Sequence, residues 1–189
     1  MKKKIVIICS IIAVLAIVSL GSLAYFTAED TATNVITTGG IQIELVERAE
    51  EGGELKPFED VVGAMPGMDV SKIVTVKNTG DSDAYIRVKL DKTIKLSEMI
   101  ELPGDNGPDM SLVTYDINTA DWTERDGYYY YNKVLAAGEE TTPLFTKVSF
   151  SKDMGNLYQN STVKIDVTAY ATQVANNGAT ALEAAGWPA

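Results

Sequence analysis

The chain of 189 residues contains no histidine, and its single cysteine, Cys9, lies close to the start. Without histidine the chain lacks the commonest metal ligand, the usual general base, and the HExxH zinc motif. Ser-His-Asp and Cys-His arrangements are excluded for the same reason. One cysteine cannot form an internal disulfide, so the fold must be stabilised by its core.

Loops that cradle phosphates are also missing, because the sequence contains neither a GxxxxGK[ST] nor a GxGxxG motif. Two carboxylates could still hydrolyse a glycoside, but no spacing singles out one pair among the 26 acidic residues. We therefore predict that the protein is not an enzyme, with no catalytic residue, no cofactor and no resident metal.

Basic residues are scarce: the chain has 16 lysines and arginines but 26 acidic residues, and its formal net charge is −10. Three of the lysines lie at positions 2–4, so residues 25–189 alone carry a charge of −13. Nucleic-acid binding requires clustered lysine and arginine, and nucleic acid is not an expected partner. The acidity is typical of a solvated surface and also permits cation binding.

The N-terminus has the three parts of a secretory signal peptide. The lysines at 2–4 precede an apolar run at 5–20, and the small residues Ser22 and Ala24 follow it. We predict that cleavage occurs between Ala24 and Tyr25.

This prediction divides the chain into a signal peptide, residues 1–24, and a single exported domain, residues 25–189. The alternative is an uncleaved membrane anchor, because residues 5–26 match the roughly 20 residues that span a bilayer.

Apolar and polar residues alternate along much of the exported part, which is typical of strands with one buried face. The apolar positions are Ile41, Ile43 and Leu45, then Ala84, Ile86, Val88 and Leu90, then Val163, Ile165, Val167 and Ala169. Residues 146–150 form a further short strand in this pattern. Turn residues at 65–68, 78–81 and 137–140 separate the segments.

Seven or eight strands spaced in this way indicate an all-β fold, a two-sheet antiparallel sandwich of jelly-roll or immunoglobulin-like type. Minor helix is expected at 96–100 and 179–185, the latter ending at a glycine. Residues 50–60 and 103–110 are rich in glycine, proline and acids and are expected to be loops.

Four consecutive tyrosines at 128–131 should place two rings inward and two outward on a strand. The outward pair could bind sugar or protein, but packing under a loop is favoured. Asp81 and Asp83 could offer oxygens to Ca²⁺, although a simple turn is favoured. Trp122 and Trp187 are expected to be packing residues.

Several segments of the chain, taken in order, resemble the TasA/camelysin family of Gram-positive bacteria, whose members carry SipW-type signal peptides. The matching segments are LAYFT at 23–27, ATNVITTG at 32–39, IQIEL at 41–45, PGM at 66–68, VKNTG at 76–80, YIRV at 85–88, DGYYYY at 126–131, AYATQ at 169–173 and GW at 186–187. The resemblance covers nearly the whole chain.

This resemblance implies a jelly-roll-like sandwich, processing by an ER-type signal peptidase, and a place in the extracellular matrix or on the cell surface. Known relatives form biofilm matrix fibres. Camelysins are also described as surface metallopeptidases, but a chain without histidine lacks the usual zinc ligands, so that activity is not carried over.

The resemblance also suggests a mechanism, in which residues 25–38 add as a β-strand to the sheet of another copy or of a related matrix protein. Tyr25 and Phe26 would be one set of apolar anchors, and Val35 and Ile36 the second. Head-to-tail contacts of this kind do not close and generate filaments.

Two alternatives remain open at the sequence level. Residues 33–45 could form the first strands of the monomer, with residues 25–30 as a frayed end. The protein would then be a monomeric surface or binding module.

Overall fold

The computed structural model describes residues 26–30, 34–37, 40–59, 61–97 and 107–188. These residues form two β-sheets that pack as a sandwich, which confirms the predicted all-β fold. Regular helix is limited in this part of the chain to two single 3-10 turns, Met110–Leu112 and Asn156–Tyr158. No helix among the described residues is long and apolar enough to cross a bilayer.

In chain order the strands are β1 (Phe26–Asp30), β2 (Asn34–Thr37), β3 (Ile43–Glu51), β4 (Glu54–Pro57), β5 (Val61–Ala64), β6 (Asp69–Asn78), β7 (Ala84–Lys95), β8 (Val113–Tyr115), β9 (Trp122–Arg125), β10 (Tyr128–Tyr131), β11 (Phe145–Phe150) and β12 (Thr162–Gln173). The first sheet has the order β5-β1-β12-β7-β10-β9, with β2 also paired to β12. The second sheet has the order β4-β3-β6-β11-β8.

The alternation read from the sequence places one face of each long strand in the core, because a strand turns successive side chains to opposite faces. Residues 163, 165, 167 and 169 of β12 and residues 84, 86 and 88 of β7 are at most 3% exposed. Ile41, Ile43 and Leu45 are buried against them, and Val148 and Phe150 of β11 complete the pattern. The hydrophobic face of each predicted strand is therefore confirmed.

Two local expectations are wrong. The loop expected at 50–60 is wrong for residues 50–57, because β3 and β4 form a hairpin there, with Gly52 and Gly53 at the turn in positive-φ conformations. Residues 179–185 contain a turn at 181–183 and no helix. The amide of Asn177 closes that segment, since its Oδ1 accepts from the backbone N–H of Ala185 and its Nδ2 donates to the Ala185 carbonyl.

A buried ion pair lies within the sandwich and was not expected from the pattern. The Nζ of Lys72 on β6 is 3.0 Å from a carboxylate oxygen of Glu47 on β3, and these side chains are 2% and 9% exposed. The ring of Phe58 covers the ammonium group at 3.8 Å from the ring centroid. A charge in such a site depends on its partner, because desolvation of an isolated ion is costly.

Removing one member of this pair should therefore be more damaging than removing both. Lys72→Met alone should lower the free energy of unfolding by about 3–5 kcal/mol, because it leaves the Glu47 carboxylate buried without its cation. The double variant Lys72→Met, Glu47→Leu should recover most of that loss. Urea unfolding of the wild type, both single variants and the double variant measures the coupling, and additive losses would contradict it.

A second ion pair is only partly buried and holds residues 139–144 along β6. Both terminal nitrogens of Arg48 donate to the carboxylate of Glu140, and the Thr75 hydroxyl donates to the same group. The backbone N–H of Thr141 donates to the Val76 carbonyl beside it. The hydrogen bonds from Arg48 hold the pKa of Glu140 below its ordinary value of 4.5, although desolvation opposes them.

The depressed pKa of Glu140 has a defined effect on stability at different pH values. The carboxylate form contributes stability above its unfolded-state pKa, and that contribution is lost as the pH falls through the lower folded-state pKa. Glu140→Gln should reduce the free energy of unfolding by up to about 1 kcal/mol at pH 7, and the difference should vanish in acid. Glu139→Gln, which removes the same charge at an exposed neighbour, is the control for the change in net charge.

Candidate assembly site

The residues predicted for cleavage and assembly lie at the N-terminal end of the chain. Ala24 and Tyr25 fall outside the described residues. Phe26 is the first residue of β1, and Val35 and Ile36 lie in β2. The segment is thus extended in both of its described parts, and both parts pair with a strand from the far end of the chain.

That strand is β12, whose two edges are paired very differently. One edge forms a continuous antiparallel ladder with β7, from Thr162 opposite Lys95 to Gln173 opposite Ala84. The other edge is covered by β1 and then β2, both parallel to β12. The register runs from Thr27 opposite Thr162 to Thr37 opposite Ala171. The chain's own N-terminal segment therefore fills this edge.

Neither short strand is a loose end. β1 pairs on its other side with β5, so it is an interior strand of the sheet. The expectation of a frayed end is therefore wrong for residues 26–30, because both edges of that strand are hydrogen-bonded. Val35 of β2 lies opposite Ala169 and packs against the main core. The alternative in which residues 34–37 are a strand of the monomer agrees with this pairing.

The pairing of β1 and β2 with β12 satisfies backbone N–H and C=O groups that would otherwise be unpaired at a sheet edge. An unpaired edge is a template for another strand. The N-terminal segment that covers this edge is short and contains the first two strands of the chain. It pairs with β12 in parallel, which is slightly less stable than antiparallel pairing. A second copy could supply the same residues to the same edge, since exchange of an identical element preserves the native contacts. The edge of β12 thus binds an extended strand, and that strand is the chain's own N-terminal segment.

The four tyrosines divide as predicted between the two faces of β10. Tyr129 and Tyr131 pack against the main core, whereas Tyr128 and Tyr130 lie on the outer face of the sheet. The outer pair is covered by the C-terminal segment, residues 174–188. Trp187 meets the Tyr130 ring edge-on, with ring centroids 5.7 Å apart. The interpretation of these rings as packing residues is confirmed.

Arg87 lies at the centre of this outer cluster and is only 9% exposed. Its guanidinium carbon is 4.0 Å from the ring centroid of Tyr128, 4.9 Å from that of Trp187 and 5.0 Å from that of Tyr170. Its Nη2 donates to the Pro188 carbonyl at 2.8 Å. The cation therefore joins β7, β10, β12 and the C-terminal segment.

The turn between β6 and β7 contains Asp81 and Asp83. Asn78 orders this turn, because its Nδ2 donates to the carbonyls of Ser82 and Leu135 and its Oδ1 accepts from the Gly80 N–H. In the described part of the chain, no three Asp, Glu, His or Cys side chains gather as a metal site requires. The favoured interpretation as a turn agrees with this geometry.

Sequence reasoning missed two features of the site. The alternation at 84–90 did not indicate that Arg87 is buried, although the aromatic residues at 85, 128 and 130 offered a signal that this face is covered. It also did not identify β12 as the partner of the N-terminal segment, because alternation specifies which face is buried and not which strands are neighbours. Trp122, at 2% exposure, is a core residue as expected.

No family model, curated protein or solved structure matches this chain. The resemblance to the TasA/camelysin family thus remains a prediction from the quoted segments.

Trp187→Ala should release the C-terminal segment from the outer face. The change removes an aromatic contact with Tyr130 and one ring beside Arg87, and we expect a loss of about 1–3 kcal/mol in the free energy of unfolding. Limited proteolysis should show faster cleavage within residues 174–188 while the rest of the domain stays resistant. Val134→Ala, at an exposed apolar residue, is the control, and equal cleavage of all three proteins would contradict the prediction.

Proposed function

We propose that this protein is a secreted structural protein of the extracellular matrix or cell surface, a fibre subunit that assembles by adding its N-terminal strand to a neighbouring copy. The observation that carries the proposal is the pairing of β1 and β2 with one edge of β12. The same residues that follow the predicted signal peptide occupy a sheet edge that accepts an extended strand.

Cleavage would control this exchange. In the precursor, residue 26 follows the apolar run at 5–20 closely, so the segment is tethered to the membrane through the signal alone. An ER-type signal peptidase, which the family resemblance implies, would cut between Ala24 and Tyr25 and free the segment. The partners we propose are thus this peptidase during export, and afterwards a second copy or a related matrix protein.

The acceptor edge has the chemistry that strand addition requires. Backbone hydrogen bonds along β12 supply affinity for any extended segment, and side-chain packing selects the register. Val35 packs against the main core next to Ala169, whose small side chain is fully buried. An apolar residue at position 35 is therefore an anchor of the kind that a donated strand needs.

One observation favours a second function, a monomeric surface or binding module. The edge of β12 is already filled by the chain's own residues, so a single copy has a complete sheet. Exchange between copies must then compete with pairing inside one copy, which has the advantage of a high effective concentration.

Negative-stain electron microscopy of residues 25–189 should show filaments. A version that begins at residue 39, and the variant Val35→Asp within residues 25–189, should show few or none, because one lacks the donated strand and the other places a charge at its core anchor. Circular dichroism must show that both remain folded. Val134→Asp adds the same charge at an exposed site and should still form filaments.

Discrete particles from every version would contradict the fibre proposal and favour the monomeric module. Chelator-sensitive cleavage of casein by the purified protein would contradict the assignment as a structural protein and return the camelysin activity to consideration.

A further inference from the structure

We propose that Asn177, in the C-terminal segment of residues 174–188, is a site of spontaneous deamidation, and that its conversion to aspartate or isoaspartate releases this segment from the outer face of the first sheet. Both the conversion and the release follow from the contacts of one side-chain amide. The inference does not depend on the proposed function.

The amide of Asn177 joins the two ends of a loop formed by residues 173–185. Its Nδ2 donates to the backbone carbonyls of Gln173 at 2.9 Å and Ala185 at 3.1 Å. Its Oδ1 accepts from the backbone N–H groups of Gly178 and Ala185, both at 2.8 Å. The amide thus connects the end of β12 to the chain two residues before Trp187. Only a side chain that both donates and accepts can make this set of bonds.

The residue after Asn177 must be glycine for a packing reason. A Cβ atom at position 178 would lie 2.5 Å from the carbonyl oxygen of Glu183, which is too close for any other residue type. Asparagine is a thermolabile residue, and it is most labile before glycine, because no side chain hinders attack by the next backbone nitrogen. The folded loop therefore requires, side by side, the two residue types that deamidate fastest.

The reacting groups of Asn177 and Gly178 already lie together. The Gly178 nitrogen is 2.8 Å from Oδ1, which is one bond away from the carbon Cγ that this nitrogen attacks. In the reaction, hydroxide removes the proton of the Gly178 N–H, the N–Cγ bond forms, and the Cγ–Nδ2 bond breaks. Nδ2 leaves as ammonia, and water opens the resulting succinimide to aspartate or isoaspartate. The net change is the uptake of one water and the loss of one ammonia.

A second contact of the amide favours this attack. Negative charge develops on Oδ1 as the tetrahedral intermediate forms, and the N–H of Ala185 donates to this oxygen at 2.8 Å. A backbone donor that is fixed at the atom gaining charge stabilises the intermediate more than it stabilises the starting amide. The folded loop therefore promotes the reaction that opens it.

Conversion removes both donors of the Asn177 side chain. An ionised aspartate only accepts hydrogen bonds, so a carboxylate oxygen would face the carbonyls of Gln173 and Ala185 in place of Nδ2. Isoaspartate also lengthens the backbone by one methylene group and displaces Gly178, whose carbonyl accepts from the Tyr85 hydroxyl at 2.8 Å. Either product breaks contacts that hold the segment against the sheet.

The burial of Arg87 makes the closed segment depend on these contacts. Arg87 is 9% exposed, and among the described residues its Nη2 donates to the Pro188 carbonyl, whereas its Nε has no hydrogen-bond partner. The three surrounding aromatic rings compensate for part of the lost hydration. Water reaches the guanidinium again when the segment leaves. Loss of the hydrogen bonds at position 177 therefore shifts the balance toward the open form.

The conversion is measured on residues 25–189 that are warmed in mildly alkaline buffer, beside the same protein unfolded in guanidinium chloride. Mass spectrometry of the peptide that contains Asn177 separates this site from the other Asn-Gly pair, at 106–107. We expect conversion at Asn177 in the folded protein to be at least as fast as in the unfolded protein. Slower conversion in the folded protein would show that the native contacts protect the amide, and would overturn the proposal.

The release is measured with Asn177→Asp, which makes the chemical change directly. Limited proteolysis within residues 174–188 should be about tenfold faster than in the wild type, because hydrogen bonds of a partly buried group are lost and cleavage follows the opening equilibrium. Acrylamide should quench the fluorescence of Trp187, while Trp122 stays protected in the core. Asn176→Asp adds the same charge at the exposed neighbouring residue, and it should behave like the wild type.

Equal cleavage of Asn177→Asp and the wild type would overturn the release. Equal acceleration by Asn176→Asp would assign the effect to charge alone and would overturn it as well. Circular dichroism shows whether Asn177→Asp is folded. If it is not, wild-type protein that has been converted during incubation and separated by anion exchange takes its place in the proteolysis and quenching measurements.

Discussion

The twelve-residue antiparallel ladder between β7 and β12 is the constraint on which the rest of the molecule depends. Its inner face supplies fully buried residues to the core, and its outer face carries Arg87 and the aromatic rings that hold the C-terminal segment. Its two free edges receive β10 on one side and the N-terminal segment on the other. One register sets the hydrogen bonds between β7 and β12 and also decides which side chains face the core. A shift of one residue would therefore turn core side chains outward and disrupt the contacts with β10, the N-terminal segment and the C-terminal segment.

Much of this could be predicted from the sequence, for physical reasons that are local. Alternation at 84–90 and 163–169 specifies buried faces, since a strand has a period of two, and the glycine pair at 52–53 was an unused hairpin signal. The buried Lys72 could not be predicted, because its burial depends on Glu47 from a strand that is distant in sequence. The same limit applies to β1 and β2, whose extended character follows from local residues whereas their parallel partner does not.

The candidate site shows that the sequence of the N-terminal segment does not determine which sheet edge this segment joins. The predicted anchors Phe26, Val35 and Ile36 suit a donated strand and a first strand equally, because apolar residues in an extended segment do not specify which sheet edge the segment joins. The structure shows that β1 and β2 lie in the sheet of their own domain. Under the proposed function, a segment from a neighbouring copy must compete with this pairing, which has the advantage of a high effective concentration.

The position of β12 within its sheet has a consequence for the order of folding. β12 joins β7 on one edge to β1 and β2 on the other, so the first sheet cannot be complete before β12 is in place. Contacts between residues so distant in sequence form slowly, because the intervening chain must close into a loop first. The second sheet contains none of these four strands, and its pairing does not have to wait for β12.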